Sequence, residues 1–347
     1  MERTTSLALT VPLCLVLLLG VAPHALSAPQ GAVVQDRELS RLQDEFVRLA
    51  ETVGGSVGVG VRHMETGREV YLNRAMRFPM GSVFKLPLAV QLLSLVDARV
   101  VALDKTVVLK PDDLRPGSGN LAKTFRASRD ISLRQLLESM LIDSDNSATD
   151  ILWNEAGGSA AIMARLAVLE ISGMSVNRPT ALLLAAAAGL GPLPKDTALT
   201  PSQFDKLIRQ VPQAERRERK AALFKDRRDT ATPEAAVALL SKIWQQKAVS
   251  PGQTELLMDI MYRCNTGKQR LRGRLPPGTK VAHKTGTLRP SVVNDIGIIS
   301  LPGRAGHVAV AVMIKESTKD IATQERVIAE IARLTYDHFV SGAARAN

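Results

Sequence analysis

The sequence is poor in the residues on which several classes of protein depend. Its 347 residues include two cysteines, five histidines and only 3% aromatic residues. Cys14 lies in an apolar N-terminal run, so removal of that run leaves Cys264 as a single thiol that cannot form an intramolecular disulfide. The histidines and Cys264 form no cluster at metal-ligand spacing, so we expect neither a metal nor another cofactor. Few aromatic residues and no single basic block argue against nucleic-acid binding, despite a net charge of +11.

Long apolar runs are also scarce beyond the N-terminus. There, Arg3 precedes an apolar run from about Leu7 to Val21, and small residues follow up to Ala28. This order is typical of a secretory signal peptide. An uncleaved membrane anchor is the alternative, because Pro29 is a poor neighbour for the cleaved bond. We therefore predict a signal peptide at 1–28, a short linker at 29–36, and a secreted or periplasmic protein with no stable membrane span after cleavage.

The remaining chain alternates between helix and strand patterns. A first amphipathic helix is predicted from Asp36 to Gly54, and an alternating hairpin at 57–72 follows it. Residues from Ser82 to about Gln246 are mostly helical in pattern. Three β-rich runs and a closing helix then end the chain; the runs are KVAHKTGT, VNDIGIISL and HVAVAVMIK. We predict an α+β domain at 37–345, in which both chain ends form one five-stranded antiparallel sheet flanked by helices, with a helical subdomain at about 82–240.

The stretch GSVFKLPLAV places Ser82 and Lys85 three positions apart at the start of an apolar helix. Residues with this spacing lie on one helix face, so the lysine amine can approach the serine hydroxyl. A desolvated lysine with a lowered pKa can accept the proton of a nucleophilic serine. The alternative is a helix N-cap with a nearby lysine, because serine is a common cap and the motif is short.

Two further motifs favour the catalytic interpretation. Ser144, Asp145 and Asn146 form one, and the run Lys284 to Gly286 forms the other. The order S-x-x-K, S-D-N, K-T-G is the set found in class A β-lactamases and penicillin-binding proteins. A cap, a turn and a sheet-edge lysine are the structural alternatives for the separate pieces. All three motifs in this order are better explained by one active site.

Acyl transfer gives each residue of these motifs a role. The predicted catalytic residues are Ser82 as nucleophile, Lys85 as its base and Ser144 as the proton shuttle to the leaving nitrogen. The predicted substrate-binding residues are Asn146, Lys284, Thr285, Gly286 and Thr287. Among these, Asn146 holds the substrate amide, and Lys284 with Thr285 binds a substrate carboxylate. The backbone N–H groups of Ser82 and Thr287 are predicted to stabilise the oxyanion.

On these motifs, and on the stretches RDTATPEAAVALL and NDIGIISLP, the chain resembles the class A β-lactamase family from Arg37 to Tyr336. The resemblance implies a β-lactamase or penicillin-binding-protein-like fold, with the serine where a sheet-containing domain meets a helical one. It also implies a hydrolase that opens β-lactam amides through a Ser82 acyl-enzyme. The expected partner is a small-molecule β-lactam or peptidoglycan-like substrate, and we expect a monomer.

The chain departs from the family at the Ω-loop. The resemblance implies a glutamate followed four positions on by asparagine, but Thr180 and Leu184 stand there. We expect Arg178 and Asp229 to pair at the neck of the loop. The stretch of chain between them makes the loop longer than usual and able to contain helices. Glu215 or Glu218 could replace the missing base, although both lie on a charged, solvated segment.

Three functions remain open from the sequence. The first is hydrolysis of β-lactams, and the second is a penicillin-binding or sensing protein that is acylated without efficient turnover. The third is a D-Ala-D-Ala peptidase or esterase with the same acylation machinery. Loss of a general base is worth about 10²–10⁴ in rate, which is why slow deacylation is a real alternative. Arg326 is a candidate for binding a substrate carboxylate, but a solvated helix position is favoured.

Overall fold

The computed structural model describes residues 1–2, 30–194, 197 and 199–346. The predicted signal peptide, apart from its first two residues, lies outside these ranges. The chain divides into two units, Met1–Arg37 and Glu38–Asn347, and the second contains the main sheet and the candidate active site. In the part of the chain that is described, no helix combines the length and apolar character needed to cross a bilayer.

The secondary structure alternates between helices and short or long strands. The α-helices are α1 (Gln30–Glu51), α2 (Lys85–Asp97), α3 (Leu121–Thr124), α4 (Leu133–Ile142), α5 (Asn146–Glu155), α6 (Gly158–Val168), α7 (Thr180–Ala188), α8 (Pro201–Gln210), α9 (Gln213–Leu223), α10 (Pro233–Trp244), α11 (Pro251–Tyr262) and α12 (Ile321–Ala346). The strands are β1 (Ser56–His63), β2 (Glu69–Leu72), β3 (Phe78–Pro79), β4 (Thr106–Leu109), β5 (Arg129–Ser132), β6 (Thr230–Ala231), β7 (Val281–Leu288), β8 (Val292–Ser300) and β9 (His307–Lys315). Two 3-10 helices are Gly81–Phe84 and Pro111–Asp113.

The main sheet has five antiparallel strands in the order β2-β1-β9-β8-β7. The predicted architecture is therefore confirmed, since β1 and β2 come from the N-terminal hairpin and the other three strands from the C-terminal runs. The β7 strand, which carries the K-T-G motif, lies at one edge. Two small ribbons, β3-β6 and β4-β5, were not predicted. Their strands of two to four residues are too short to show an alternating pattern.

Both faces of the sheet are buried, which explains the nearly continuous apolar sequence of β9. Val308, Val310 and Val312 belong to a core that also contains apolar residues of α1 and α12. Ala309 and Ala311 belong to a second core that extends through α10 and the helical part of the chain. Helix α10 packs against β1 and β9. The helical subdomain was predicted to reach about residue 240, but α10, the last helix of that range, packs against the sheet.

The first helix begins earlier than predicted. It starts at Gln30 rather than Asp36, so the residues expected to form a linker at 29–36 are helical from Gln30 onward. The physical reason is the position of Pro29. A proline is tolerated at a helix start but not in a helix interior, and no further proline interrupts the pattern before Gly54.

The segment between Arg178 and Asp229 contains α7, α8 and α9, as the sequence predicted. Helices α7 and α8 share a small apolar core of their own, formed by Ala181, Ala185, Leu190 and Leu199, with side chains of α8 packed against it. The side chain of Thr200 caps α8 through the backbone N–H of Gln203. The extended loop is therefore an organised structure with its own core.

Candidate active site

Ser82 lies in the 3-10 helix Gly81–Phe84, which leads directly into the buried helix α2. Two glycines allow this turn to approach β7 closely. Gly81 has a φ of +52°, and a side chain there would come within 2.7 Å of the Thr287 backbone nitrogen. A side chain at Gly286 would lie 2.1 Å from the carbonyl oxygen of Met80. Both positions therefore require glycine, and the Gly286 of the third motif is structural as well as close to the site.

Asn294 fixes the segment that precedes Ser82. Its Nδ2 atom donates hydrogen bonds to the carbonyl oxygens of Pro79 and Met80, at 2.8 and 3.0 Å. Its Oδ1 atom accepts from the backbone nitrogen of Ile314 at 3.0 Å. This buried amide on β8 thereby ties the start of the catalytic turn to the sheet. The sequence placed Asn294 in a family-like stretch, but no local signal identified this role.

Lys85 is fully buried and reaches the loop between α4 and α5. Its Nζ donates to the Ser144 carbonyl oxygen at 2.6 Å and to Asn146 Oδ1 at 2.8 Å, and lies 3.3 Å from Ser144 Oγ. Burial, followed by the charge of Lys284, lowers the pKa of Lys85 well below its ordinary value. The predicted contact with Ser82 Oγ is not among the hydrogen bonds of the described residues. The lowered pKa nevertheless makes the neutral form that a base requires more accessible than in an ordinary lysine.

Ser144 lies between two lysines. The Nζ of Lys284, which is fully buried, donates to Ser144 Oγ at 3.0 Å and to the Thr285 carbonyl oxygen at 2.9 Å. Burial lowers the pKa of Lys284 to about 8. Ser144 has a φ of +56°, an uncommon conformation for serine. Its hydroxyl is thus in contact with amines from the first and third motifs.

The middle motif combines structural and site roles. Asp145 is the N-cap of α5, accepting from the Ala148 nitrogen at 2.9 Å, and its other oxygen accepts from the Asn120 and Leu121 nitrogens. The structural alternative for this residue was a turn, and the structure instead makes it a helix cap. Asn146 accepts from Lys85 and donates from Nδ2 to the Pro116 carbonyl oxygen at 2.7 Å. A substrate amide would therefore replace or share the bond to Pro116.

A buried arginine that the sequence reasoning missed lies behind the K-T-G strand. Arg270 donates to Thr287 Oγ1 at 2.8 Å, to the Gly286 carbonyl oxygen at 3.2 Å, and to the side chain of Glu325 at 3.0 Å. Arg326, the arginine considered from the sequence, is half-exposed and lies 3.7 Å from the Glu330 carboxylate. One arginine among many gives no sequence signal, because only the fold shows which one is buried beside β7.

Thr180, which stands where the family resemblance implies a glutamate, does not provide a carboxylate in the structure. Thr180 is the first residue of α7 and is buried, and its Oγ1 has no hydrogen-bond partner among the described residues. The carboxylate oxygens of Asp150 accept from the Thr180 nitrogen at 2.6 Å and the Ala181 nitrogen at 3.1 Å, and one also pairs with Arg115 at 2.8 Å. Asp150 is therefore committed to holding α7 and is a poor general base.

Neither of the two alternative bases, Glu215 and Glu218, is placed to act on the Ser82 ester. Glu215 is paired with Arg219 on α9, and Glu218 on the same helix is exposed. No described contact joins either glutamate to Ser82, Lys85 or Ser144. The loop neck is as predicted, because Arg178 pairs with Asp229 and both side chains are largely buried.

The chain is similar to known β-lactamases in sequence and structure. The model of the β-lactamase enzyme family matches residues 41–339. The extended-spectrum β-lactamase PER-1 of Pseudomonas aeruginosa is 30% identical over 85% of this chain and 86% of its own length. The carbapenem-hydrolysing β-lactamase KPC of Klebsiella oxytoca is 26% identical over 85% of this chain and 87% of its own.

Solved structures of β-lactamases are also similar to this chain. A β-lactamase from Chitinophaga pinensis has a TM-score of 0.69 and 30% identity, over 86% of this chain and 98% of its own. An ancestral class A β-lactamase has a TM-score of 0.69 and 29% identity, over 85% and 99%. Together with the matching fold, these similarities show that the chain belongs to the class A β-lactamase family.

Proposed function

We propose that this protein hydrolyses β-lactams through an acyl-enzyme on Ser82. One observation carries the proposal: the hydroxyl of Ser144 lies 3.3 Å from Lys85 Nζ and 3.0 Å from Lys284 Nζ. Residues of the three motifs, which are separate in sequence, are thereby connected through the Ser144 hydroxyl. The relatives named above are β-lactamases, which supports hydrolysis over penicillin sensing, peptidase or esterase activity.

Acylation follows from the charge states of the two lysines. Lys85, whose pKa is lowered by burial, accepts the proton of Ser82 Oγ as that oxygen bonds to the β-lactam carbonyl carbon. The carbonyl π electrons move onto oxygen and return as the C–N bond breaks. Ser144 then passes a proton to the departing ring nitrogen and is reprotonated by the neighbouring lysines. The product of this half-reaction is an ester at Ser82.

The oxyanion is stabilised by the backbone N–H groups of Ser82 and Thr287. The support for this assignment is the close approach of the catalytic turn to β7, which Gly81 and Gly286 permit. Removal of one oxyanion donor in serine hydrolases typically costs about 10²–10³ in rate. Backbone donors held by a buried helix and a sheet strand are already in place before substrate arrives.

Substrate binding is assigned to the cationic wall formed by β7. Lys284 and Thr285 receive the carboxylate of the substrate, and Arg270 behind them adds positive charge and fixes the Thr287 hydroxyl. Asn146 binds the amide side chain of the substrate. A fixed positive wall favours a β-lactam that carries a carboxylate.

Deacylation is the slow step in this proposal. A general base contributes about 10²–10⁴ to hydrolysis, and the buried Thr180 cannot supply one. The carboxylate of Asp150 is occupied by two backbone N–H groups and Arg115. Turnover is therefore limited by the lifetime of the Ser82 ester. The N-terminal sequence supports export to a secreted or periplasmic location, and the protein acts as a monomer.

The test is turnover of a chromogenic cephalosporin by the purified mature protein. We expect sustained hydrolysis that Ser82→Ala abolishes, whereas Ser94→Ala on the same helix leaves the rate unchanged. Ser94 is a matched control because its hydroxyl bonds within its own helix, to Gln91. A lasting adduct without turnover would favour the sensing function. Hydrolysis of peptides or esters without any reaction with the cephalosporin would favour the third function.

A further inference from the structure

A line of three buried polar side chains lies behind the K-T-G strand, and the proposed mechanism uses none of them. His283 precedes Lys284 on β7, and its Nδ1 lies 2.9 and 3.0 Å from the two carboxylate oxygens of Asp295 on β8. His283 and Asp295 are completely buried. Within the described part of the chain, the Nε2 of His283 has no partner in hydrogen-bond geometry, but Cys264 is close enough for each group to shift the pKa of the other.

The charges of these groups are strongly coupled. Burial alone would lower the pKa of His283, but Asp295, and after it Cys264, raise this pKa to about 10, so the imidazole is protonated at neutral pH. Burial alone would raise the pKa of the Cys264 thiol, but His283 and then Lys284 bring it down to about 7. Arg272, on the segment after α11, donates to the Cys264 carbonyl oxygen at 3.0 Å.

Two hydroxyl groups connect Cys264 with the substrate-binding strand. Cys264 Sγ lies 3.3 Å from Thr266 Oγ1, and Thr266 Oγ1 lies 2.6 Å from Thr285 Oγ1. Either atom can be the donor in each contact. A hydroxyl has one proton to donate, so the direction of one bond sets the direction of the next.

We propose that Cys264 is a positioning residue which determines, through Thr266, whether the Thr285 hydroxyl can donate a hydrogen bond to a substrate carboxylate. A protonated thiol donates to Thr266, and Thr266 then donates to Thr285. The proton of Thr285 remains available for the carboxylate. This inference rests on the proposed function, because it takes a carboxylate-bearing substrate at Lys284 and Thr285.

Ionisation of Cys264 reverses the chain. When the thiol releases its proton to solvent, the thiolate can only accept, so Thr266 donates to sulfur and Thr285 donates to Thr266. Thr285 then presents only lone pairs to the substrate carboxylate. Affinity for the carboxylate is highest while Cys264 is a thiol and falls as the pH rises through the pKa of that thiol, near 7.

A second electrostatic effect acts in the opposite direction. The thiolate favours the protonated form of Lys284, as does Asp295, whereas Arg270 opposes it. Substitution of Cys264 itself would therefore change both the hydroxyl chain and the charge beside Lys284. Thr266→Val interrupts the chain while leaving the thiol, His283 and Asp295 in place.

The experiment measures binding in a Ser82→Ala protein, which cannot form the acyl-enzyme. Calorimetry gives the affinity for a cephalosporin and for its carboxylate methyl ester between about pH 6 and about pH 8, a range that brackets thiol ionisation here. The ultraviolet absorbance of the thiolate is followed in parallel, because Cys264 is the only thiol after the predicted leader is removed. Thr266→Val and Thr266→Ser are compared in the same background.

We expect the affinity for the carboxylate cephalosporin to fall about tenfold as the thiolate absorbance rises, the typical effect of losing one bond to a charged group. Thr266→Val should remove this fall without removing the absorbance change, and Thr266→Ser should retain it. The methyl ester should show no fall. Three results would overturn the inference. Thr266→Val could show the same fall in affinity, the thiol could fail to titrate in this range, or the protein could show no binding at all. If the protein that retains Ser82 did not hydrolyse the cephalosporin, that result would instead count against the proposed function alone.

Discussion

The Nζ atom of Lys284 lies 3.0 Å from the Oγ atom of Ser144, although the two residues are 140 positions apart in the chain. One comes from an edge strand of the sheet and the other from a loop between two helices of the helical part. Their contact fixes the separation between the two halves of the site. It also places a positive charge beside the hydroxyl that we assign to proton transfer.

Replacement of Lys284 by methionine should lower kcat/KM for a carboxylate-bearing cephalosporin by about 10²–10³, the scale of losing one fixed electrostatic contact. Methionine keeps most of the volume but cannot donate to Ser144 or bind a carboxylate. Steady-state kinetics provides the measurement. Lys280→Met, at an exposed position just before β7, should leave kcat/KM unchanged. Equal losses in the two variants would contradict the assignment of Lys284.

The pH dependence of KM should report the charge of Lys284. Its pKa of about 8 means that the amine is charged below that pH and neutral above it. The KM for a carboxylate substrate should therefore rise as the pH passes about 8. Lys284→Arg should move this part of the rise to higher pH, because a guanidinium stays protonated. A pH profile that is identical in the two proteins would show that another group is responsible.

The loop neck should make a large contribution to stability. Arg178→Ala leaves the Asp229 carboxylate buried without its cation, and should lower the free energy of unfolding by about 3–5 kcal/mol. Arg48→Ala removes one partner of the exposed pair with Glu45, and should cost less than about 1 kcal/mol. Denaturant unfolding at neutral pH measures both values. A neck variant as stable as the surface variant would mean that the ion pair does not hold the loop.

Thr180 offers a direct test of slow deacylation. Thr180→Glu places a carboxylate at the start of α7, and should shorten the lifetime of the Ser82 ester by about 10² or more if that carboxylate activates water. Thr180→Ala removes a buried hydroxyl that makes no hydrogen bond to any described residue, so it should change neither the lifetime nor the stability by much. The decay of the acyl-enzyme mass after removal of free substrate gives the lifetime. An unaltered lifetime in a folded Thr180→Glu protein would contradict this explanation of slow turnover.

Much of the fold was predictable because its patterns are long. The alternation in β1 and β2 and the apolar C-terminal strands identify elements that the structure confirms. The sequence also predicted that the three motifs lie together, because their order along the chain is typical of a fold that brings them to one edge of the sheet. The short ribbons were missed, since two to four residues carry little periodicity. The start of α1 was placed too late, because the helix extends back to the residue after Pro29.

The contacts made by side chains were less predictable than the motifs. Nothing in the sequence indicates that Lys85 turns toward Asn146 and the Ser144 loop, or that Asn294 holds the turn before Ser82. Arg270 and Cys264 were missed for the same reason. Each becomes significant only through a neighbour distant in sequence, such as Thr287 for Arg270 and His283 for Cys264.

The most direct test of a Ser82 acyl-enzyme that is formed and then hydrolysed is a time course of intact mass. The mature protein is mixed with a small excess of a cephalosporin and quenched at intervals, and the adduct is located by peptide mapping. We expect one adduct on the peptide that contains Ser82, which appears rapidly and then disappears as the substrate is consumed. An adduct that never decays, an adduct on another residue, or consumption of substrate by Ser82→Ala would contradict this account.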